Sequence, residues 1–211
     1  MASDDMRAFG AKVFGIGLSK TGTTSLYAAL MRLGIRTVTY RHLEAAGLDD
    51  WREGRFSTDY LAEVEAATDI PIPTYFRELD EIYPGSKFIL TERPLVAWLE
   101  SVGSQFLHRT KDVTGFRRDM RFATYGIAGF NAMRFARIAV DHSDAVRAHF
   151  AGRPQDLLVL NLFDDQGWPE LCGFLGHPVP RSPFPNVSPG FRAELHSPAP
   201  DAALLPFQVR R

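Results

Sequence analysis

Hydrophobic and polar positions alternate between two regimes along this chain. Short runs rich in β-branched and apolar residues read as buried strands: Lys12–Gly17 (KVFGIG), Arg36–Tyr40 (RTVTY), a brief Ala67–Ile72, Lys87–Thr91 (KFILT) and Asp156–Asn161 (DLLVLN). Between them the apolar period lengthens. Leu26, Leu30 and Leu33 recur at i, i+4, i+7 and Gly34 stops the pattern, which predicts a helix from Thr24. Tyr75–Tyr83 is a further helix, and Pro94 suits the first turn of a helix over 95–107. A long helical segment runs from about Gly126 to Phe150, and Trp168–Leu175 is a short one. Residues 41–66 are charged, with scattered anchors that suggest short helices. Residues 109–124 carry many basic side chains and few core anchors, so they read as a loop or lid.

Strands alternating with helices predict an α/β, three-layer phosphate-binding-loop fold, with a central parallel sheet of about four to five strands and helices on both faces. The 211 residues fit one domain, with residues 1–11 as an N-terminal extension and an extended proline-rich tail over 178–211. In such sheets ligands bind beyond the carboxyl ends of the strands. Gly17, Arg93 and Asn161 all fall there, so one crevice is expected to collect them.

Composition narrows the partners. Lys and Arg number 24 against 25 Asp and Glu, which gives no support to nucleic-acid binding. No run reaches the ~18 apolar residues of a membrane span, and the N-terminus lacks the apolar core of a signal peptide, so a cytoplasmic protein is expected. The single Cys172 excludes an intrachain disulfide and reads as a small buried hydrophobe.

The chemistry concentrates in GLSKTGTTSLYAAL, residues 17–30. Gly17 and Gly22 allow a tight turn whose amides converge on one anion, and the following helix adds its N-terminal dipole. Lys20 supplies charge, and Thr23, Thr24 and Ser25 supply hydroxyls. A nucleotide-hydrolysing loop carries lysine directly after its second glycine and a Ser/Thr on magnesium. Here Thr23 stands in the lysine's place, and no acidic metal ligand is evident at a strand end. A phosphate ligand held without metal is the leading reading. A Mg-ATP-dependent kinase or NTPase, or a non-catalytic nucleotide-binding domain, are the alternatives.

Ser19-Lys20-Thr21-Gly22-Thr23-Thr24 is similar to the P-K-S-G-T-T loop of sulfotransferases that use 3′-phosphoadenosine 5′-phosphosulfate (PAPS). That family also has a strand-end arginine with a serine eight residues on, matched here by Arg93 and Ser101. Together with YPGSKFILTERP and the segment DLLVLNLFDDQGWPELCGFLGHPVPRSPFPN, the resemblance covers roughly residues 12–187 and is to a compact bacterial branch. It implies that Ser19 to Ser25 hold the 5′-phosphosulfate, that Arg93 and Ser101 grip the 3′-phosphate, and that 3′-phosphoadenosine 5′-phosphate (PAP) is the product, with no metal. It also implies transfer to a hydroxyl or amine of a small-molecule acceptor. The chain departs from the family in having Ser19 for proline and no clear R-K-G element near the C-terminus. Arg181 or the Arg117-Arg118 pair are the candidates to replace the latter.

Sulfuryl transfer is an in-line displacement that depends on positioning and charge neutralisation. Lys20 is the expected stabiliser of charge on the leaving phosphate. The family draws its base from a strand end before the 3′-phosphate arginine, and Asp69 in A-T-D-I-P-I-P matches that place. His42, after RTVTY, competes for the role. Glu78 and Asp80 read as helix-surface charges, and His108 as a helix-end residue. His142 and His149 are too far apart in sequence to share one ion on a helix. Phe76, Phe106, Phe116, Phe122 and Tyr125 flank the expected crevice, where they would suit a small aromatic or lipophilic acceptor.

Overall fold

A computed structural model of the chain describes residues 11–45, 51, 58–107 and 115–187. Expectations for 1–10, the middle of the 41–66 segment, His108 with the first part of 109–124, and the tail beyond 187 lie outside the described residues. Five strands form one wholly parallel sheet: β1 (Val13–Gly15), β2 (Thr37–Thr39), β3 (Ala66–Thr68), β4 (Lys87–Thr91) and β5 (Leu157–Leu160). Their order is β2-β3-β1-β4-β5. From β1 the chain passes to the edge strand β2, returns to β3 beside β1, and then crosses to β4 and β5 on the other side. The loop leaving β1 therefore sits where the order reverses, the place at which open α/β sheets bind ligands.

The described helices are α1 (Thr23–Arg32), α2 (Tyr40–Ala45), α3 (Thr58–Ala62), α4 (Phe76–Ile82), α5 (Leu95–Leu107), α6 (Gly115–Tyr125), α7 (Ala132–Phe150) and α8 (Trp168–Leu175). Both faces of the sheet are covered, which is why its strands read as nearly continuous apolar runs. On β4, Phe88 and Leu90 join Phe14, Phe76, Met120 and Phe150 on one face, while Ile89 joins Leu26, Leu30, Trp168 and Leu171 on the other. A third cluster lies under the β1 loop, where Leu18 packs with Trp98, Val102, Phe106, Tyr125 and Phe135 from α5, α6 and α7.

Three expectations change. From Gly115 onward the segment expected as a loop or lid is helix α6, because Phe116, Met120 and Tyr125 anchor it at helical spacing. Asp80 is not a surface charge: it is nearly enclosed and held by His149 and Arg153 from α7 and its C-terminal turn. Of the five aromatic residues expected around an acceptor, Phe76, Phe106, Phe116 and Tyr125 are buried in the core. Phe122 is exposed beside the Arg118 guanidinium.

Candidate active site

The turn after β1 is built by packing at its glycines. A Cβ on Gly17 would stand 1.9 Å from Thr91 Oγ1 and 2.6 Å from the Thr91 carbonyl. Gly22 precedes α1 at φ 104°, where an added Cβ would also meet Leu162 at 2.8 Å. Lys20 takes the left-handed φ of 75° between them. Thr21 stitches the turn: its hydroxyl donates to the Leu18 carbonyl (2.7 Å) and accepts from Thr91 Oγ1 (2.6 Å). Thr21 thus serves the loop's own shape. The first turn of α1 has no side-chain cap and no acidic residue, and the amides of Thr23, Thr24 and Ser25 have no partner inside the helix. An anion is the natural complement of such an end.

Ser19 is fixed from three directions. Trp98 Nε1 donates to its carbonyl (2.9 Å), its amide donates to the buried Tyr125 hydroxyl (3.3 Å), and its own hydroxyl donates to Asp69 Oδ1 (2.9 Å). Burial pushes the Tyr125 hydroxyl well above its ordinary value, so it stays protonated. Asp69 follows directly on β3 at φ 72°, a conformation that costs a non-glycine residue energy and recurs at functional sites. Its Oδ1 also accepts the Ile70 amide at 2.9 Å. The serine that replaces the family's proline is therefore the contact between the loop and the candidate base.

Two recesses open on this end of the sheet, one on each side of β1. The first, about 320 Å³, is lined by Ser19, Thr23, Thr24 and Asp69, with His42, Tyr27 and Tyr40 beside them and Gln105, Arg41, Arg117 and Arg121 across. Among the described residues neither Thr23 nor Thr24 offers its hydroxyl to another side chain, so both are available to a ligand. The second, about 350 Å³, is lined by Leu18, Thr21, Thr91, Arg93, Trp98 and Asn161, among others. Arg93 Nε is buried there with no hydrogen-bond partner, and its guanidinium lies 4.4 Å from the centre of the Phe163 ring. A buried guanidinium nitrogen with an unspent proton points to a missing oxyanion.

Arg93 and Asn161 thus share the second recess with Leu18 and Thr21 of the loop, while Asp69 and the loop hydroxyls open on the first, with the loop as the dividing wall. Ser101 is half-buried on α5 and lines neither recess, and Ser25 lines neither: its hydroxyl accepts the Val187 amide at 3.1 Å. Arg117 lines the first recess, away from Arg93, while Arg118 and Arg181 are exposed and line neither. His42 lines the first recess, but its Nδ1 accepts the Thr39 amide at 3.0 Å. The neutral ring then carries its proton on Nε2, which makes it a donor toward the recess, and burial lowers its pKa further. His142 Nε2 meets the Ile16 carbonyl at 2.8 Å, and burial lowers its pKa as well. Among the described residues no group of His, Cys, Asp or Glu clusters as a metal site.

A family model described as a sulfotransferase domain matches residues 12–190. The chain belongs to the sulfotransferase-domain family. It is 27% identical over 212 residues to "Ava biosynthesis cluster protein M" of Aspergillus versicolor, spanning 83% of this chain and 80% of that one. Its fold is shared with a crystal structure of a sulfotransferase from Alicyclobacillus acidocaldarius, with TM-score 0.53 and 18% identity over 88% and 89% of the two chains. Sulfuryl transfer is accordingly the chemistry to be accommodated.

Several lining residues of this sulfotransferase had no motif to announce them. Trp98, on the wall of the second recess, and Tyr125, buried behind the loop, both bond Ser19, and nothing local in the sequence ties them to it. Arg117 was a candidate for the missing basic element, but its neighbour Arg121 had a signal that went unused: the two follow Phe116 and Met120 by one residue each, so a helical reading of 115–125 sets them one turn apart on one face.

Proposed function

We propose that this sulfotransferase moves the sulfuryl group of PAPS onto a hydroxyl or amine of a small-molecule acceptor, without a metal ion. The observation that carries this reading is that unspent Thr23 and Thr24 hydroxyls and the Asp69 carboxylate line one recess. A phosphate cradle and a proton acceptor then share a wall. PAPS supplies the transferable sulfuryl group and a phosphate that leaves as PAP. The acceptor's O–H or N–H gives its proton to Asp69 as its lone pair bonds to sulfur. The bond from sulfur to the 5′-phosphate oxygen breaks, and its electron pair stays on that oxygen. Lys20, Thr23, Thr24 and the α1 amides offset the charge that collects there. Arg93 takes the 3′-phosphate in the second recess, and Ser101, two helical turns along, assists as α5 adjusts to the nucleotide. The two glycines support the fit, since any Cβ at Gly17 would collide with the wall against which the loop lies. The fungal relative, named for a biosynthesis cluster, also supports a small-molecule acceptor.

Calorimetric titration with PAP in EDTA tests the donor. PAP is expected to bind, more weakly as salt rises. Arg93→Ala is expected to weaken PAP by about 2–4 kcal/mol, the scale for losing one member of a recessed charge pair, and to leave adenosine 5′-phosphosulfate, which lacks the 3′-phosphate, far less affected. Binding that requires Mg-ATP would overturn the reading in favour of a kinase or NTPase. Equal losses for both donors would remove Arg93 from the 3′-phosphate.

A further inference from the structure

Ser19 is the place where this chain leaves the family's loop pattern, and the exchange adds two hydrogen bonds. A proline there has neither an amide proton nor a hydroxyl. Ser19 uses both: its amide donates to the Tyr125 hydroxyl at 3.3 Å, and its own hydroxyl donates to Asp69 Oδ1 at 2.9 Å. The direction of the second bond is settled, because an ionised carboxylate only accepts. With its proton given to Asp69, the Ser19 hydroxyl has none left for a phosphosulfate. Among the described residues, Thr23 and Thr24 offer theirs to no other side chain, so within one loop the hydroxyls divide by task.

Asp69 is also held locally. The amide of Ile70, its chain neighbour, donates to the same Oδ1 at 2.9 Å, a bond that travels with the end of β3. The Ser19 bond is of another kind. It joins residues 50 positions apart and ties the end of β3 to the loop after β1. Its near end is rigid: Ser19 is 7% exposed, and Trp98 Nε1, from α5 on the wall of the second recess, donates to its carbonyl at 2.9 Å. A hydrogen bond to an ionised group is stronger than a neutral one and more demanding of direction. Resting on the transfer reading above, we propose that Ser19 is a positioning residue for the base: it serves Asp69 rather than the donor, and it sets the carboxylate at a fixed span from the loop that carries the phosphosulfate. The acceptor's proton then meets a carboxylate already aligned with the sulfuryl group. Misplacing a catalytic group by a fraction of its bond reach costs rate without costing donor affinity, so Ser19 acts on turnover.

The test is a double-mutant cycle of Ser19→Ala and Asp69→Asn on the full chain, with one readout that needs no acceptor. The carboxyl carbon resonance of Asp69, assigned by its loss in Asp69→Asn, is followed against pH. A hydrogen bond donated to a carboxylate favours its ionised form, so in Ser19→Ala the midpoint should rise by about one to two pH units, the equivalent of one charge-assisted bond. Ser19→Thr, which keeps a hydroxyl, should restore part of the shift. Arg41, His42, Arg117 and Arg121 line the same recess and are untouched by these substitutions, so a moved midpoint reports the lost bond. Release of labelled sulfate from PAPS to water supplies the turnover. Ser19→Ala should lower it roughly 10–100-fold at unchanged PAP affinity, the scale for a misplaced catalytic group. In the Asp69→Asn background the same change should cost no more than about two-fold, because the group it positions has lost its function. An unmoved midpoint overturns the proposal, and so does an equal loss of turnover in both backgrounds, which would mean that Ser19 shapes the loop alone. If Ser19→Ala weakens PAP, the serine serves the donor and the proposal falls while the transfer reading stands. Normal sulfate release by Asp69→Asn removes the base, and failure of the unaltered chain to bind PAP removes the transfer reading; either takes this proposal with it.

Discussion

Asp69→Asn separates the carboxylate's chemistry from its structural work. Oδ1 of Asp69 accepts two hydrogen bonds, from Ser19 Oγ and from the Ile70 amide, both at 2.9 Å. Asparagine offers its carbonyl oxygen to the same two donors, and it tolerates the left-handed φ of 72° better than most residues. What it loses is the charge-assisted part of each bond, about 1 kcal/mol apiece. The expected cost is about 2 kcal/mol, a fall in melting temperature of roughly 4–8 °C for a chain of this size. Asp69→Ala also gives up both bonds, leaves the Ile70 amide without its acceptor and places a Cβ-bearing, non-bonding side chain at positive φ. That costs about 4–5 kcal/mol in all. Turnover should fall by roughly 10²–10⁴ in both variants, the range for losing general-base assistance, although their stabilities differ. PAP affinity should stay near the unaltered value in Asp69→Asn, because the loop keeps its contact. The assay is transfer of labelled sulfate from PAPS, run beside PAP titration and thermal melting. His42→Gln, run in parallel, should be nearly silent, since its Nδ1 is committed to the Thr39 amide. Turnover within a few-fold of normal in Asp69→Asn would refute the assignment, and a dead His42→Gln alongside it would move the base to the end of β2.

Gly17→Ala should abolish PAP binding and lower the melting temperature by several degrees, because the new Cβ meets the Thr91 side chain and backbone together; normal PAP affinity would show that the loop can shift without losing its cradle. Asp80 supplies a pH test. Burial raises its pKa, but hydrogen bonds from Arg153 and His149 outweigh that and hold it below the usual carboxylate value of 3.8. A depressed folded-state pKa contributes stability that is present above the unfolded value and lost as pH falls through the folded one. Asp80→Asn should therefore melt several degrees lower than the unaltered chain at pH 7, with the gap closing below about pH 4; a gap independent of pH would mean that the charge of Asp80 contributes nothing.

The layered fold was legible because both of its determinants are local. Apolar runs such as KFILT mark strands buried on two faces, and Leu26, Leu30 and the residues around them mark a helix that covers one. The loop was legible for the same reason, since Gly17, Lys20, Gly22 and the hydroxyls after it lie within one turn of chain. Helix α6 was misread because its charge content concealed a regular spacing of Phe116, Met120 and Tyr125. Asp80 was misread because its partners lie about 70 residues away on α7 and just beyond it.

Strand order is the property that local reading could not supply, and it decides how the site is divided. Periodicity puts Asp69 and Arg93 at strand ends, but whether they share a recess depends on which strands flank β1. In the observed order, β3 lies on one side of β1 and β4 on the other. The loop between them presents Ser19, Thr23 and Thr24 to the Asp69 recess, and Leu18 and Thr21 to the Arg93 recess. On the proposed reading the donor straddles that wall: its phosphosulfate meets Thr23 and Thr24 on the Asp69 side, where the acceptor enters, and its 3′-phosphate reaches Arg93 on the other.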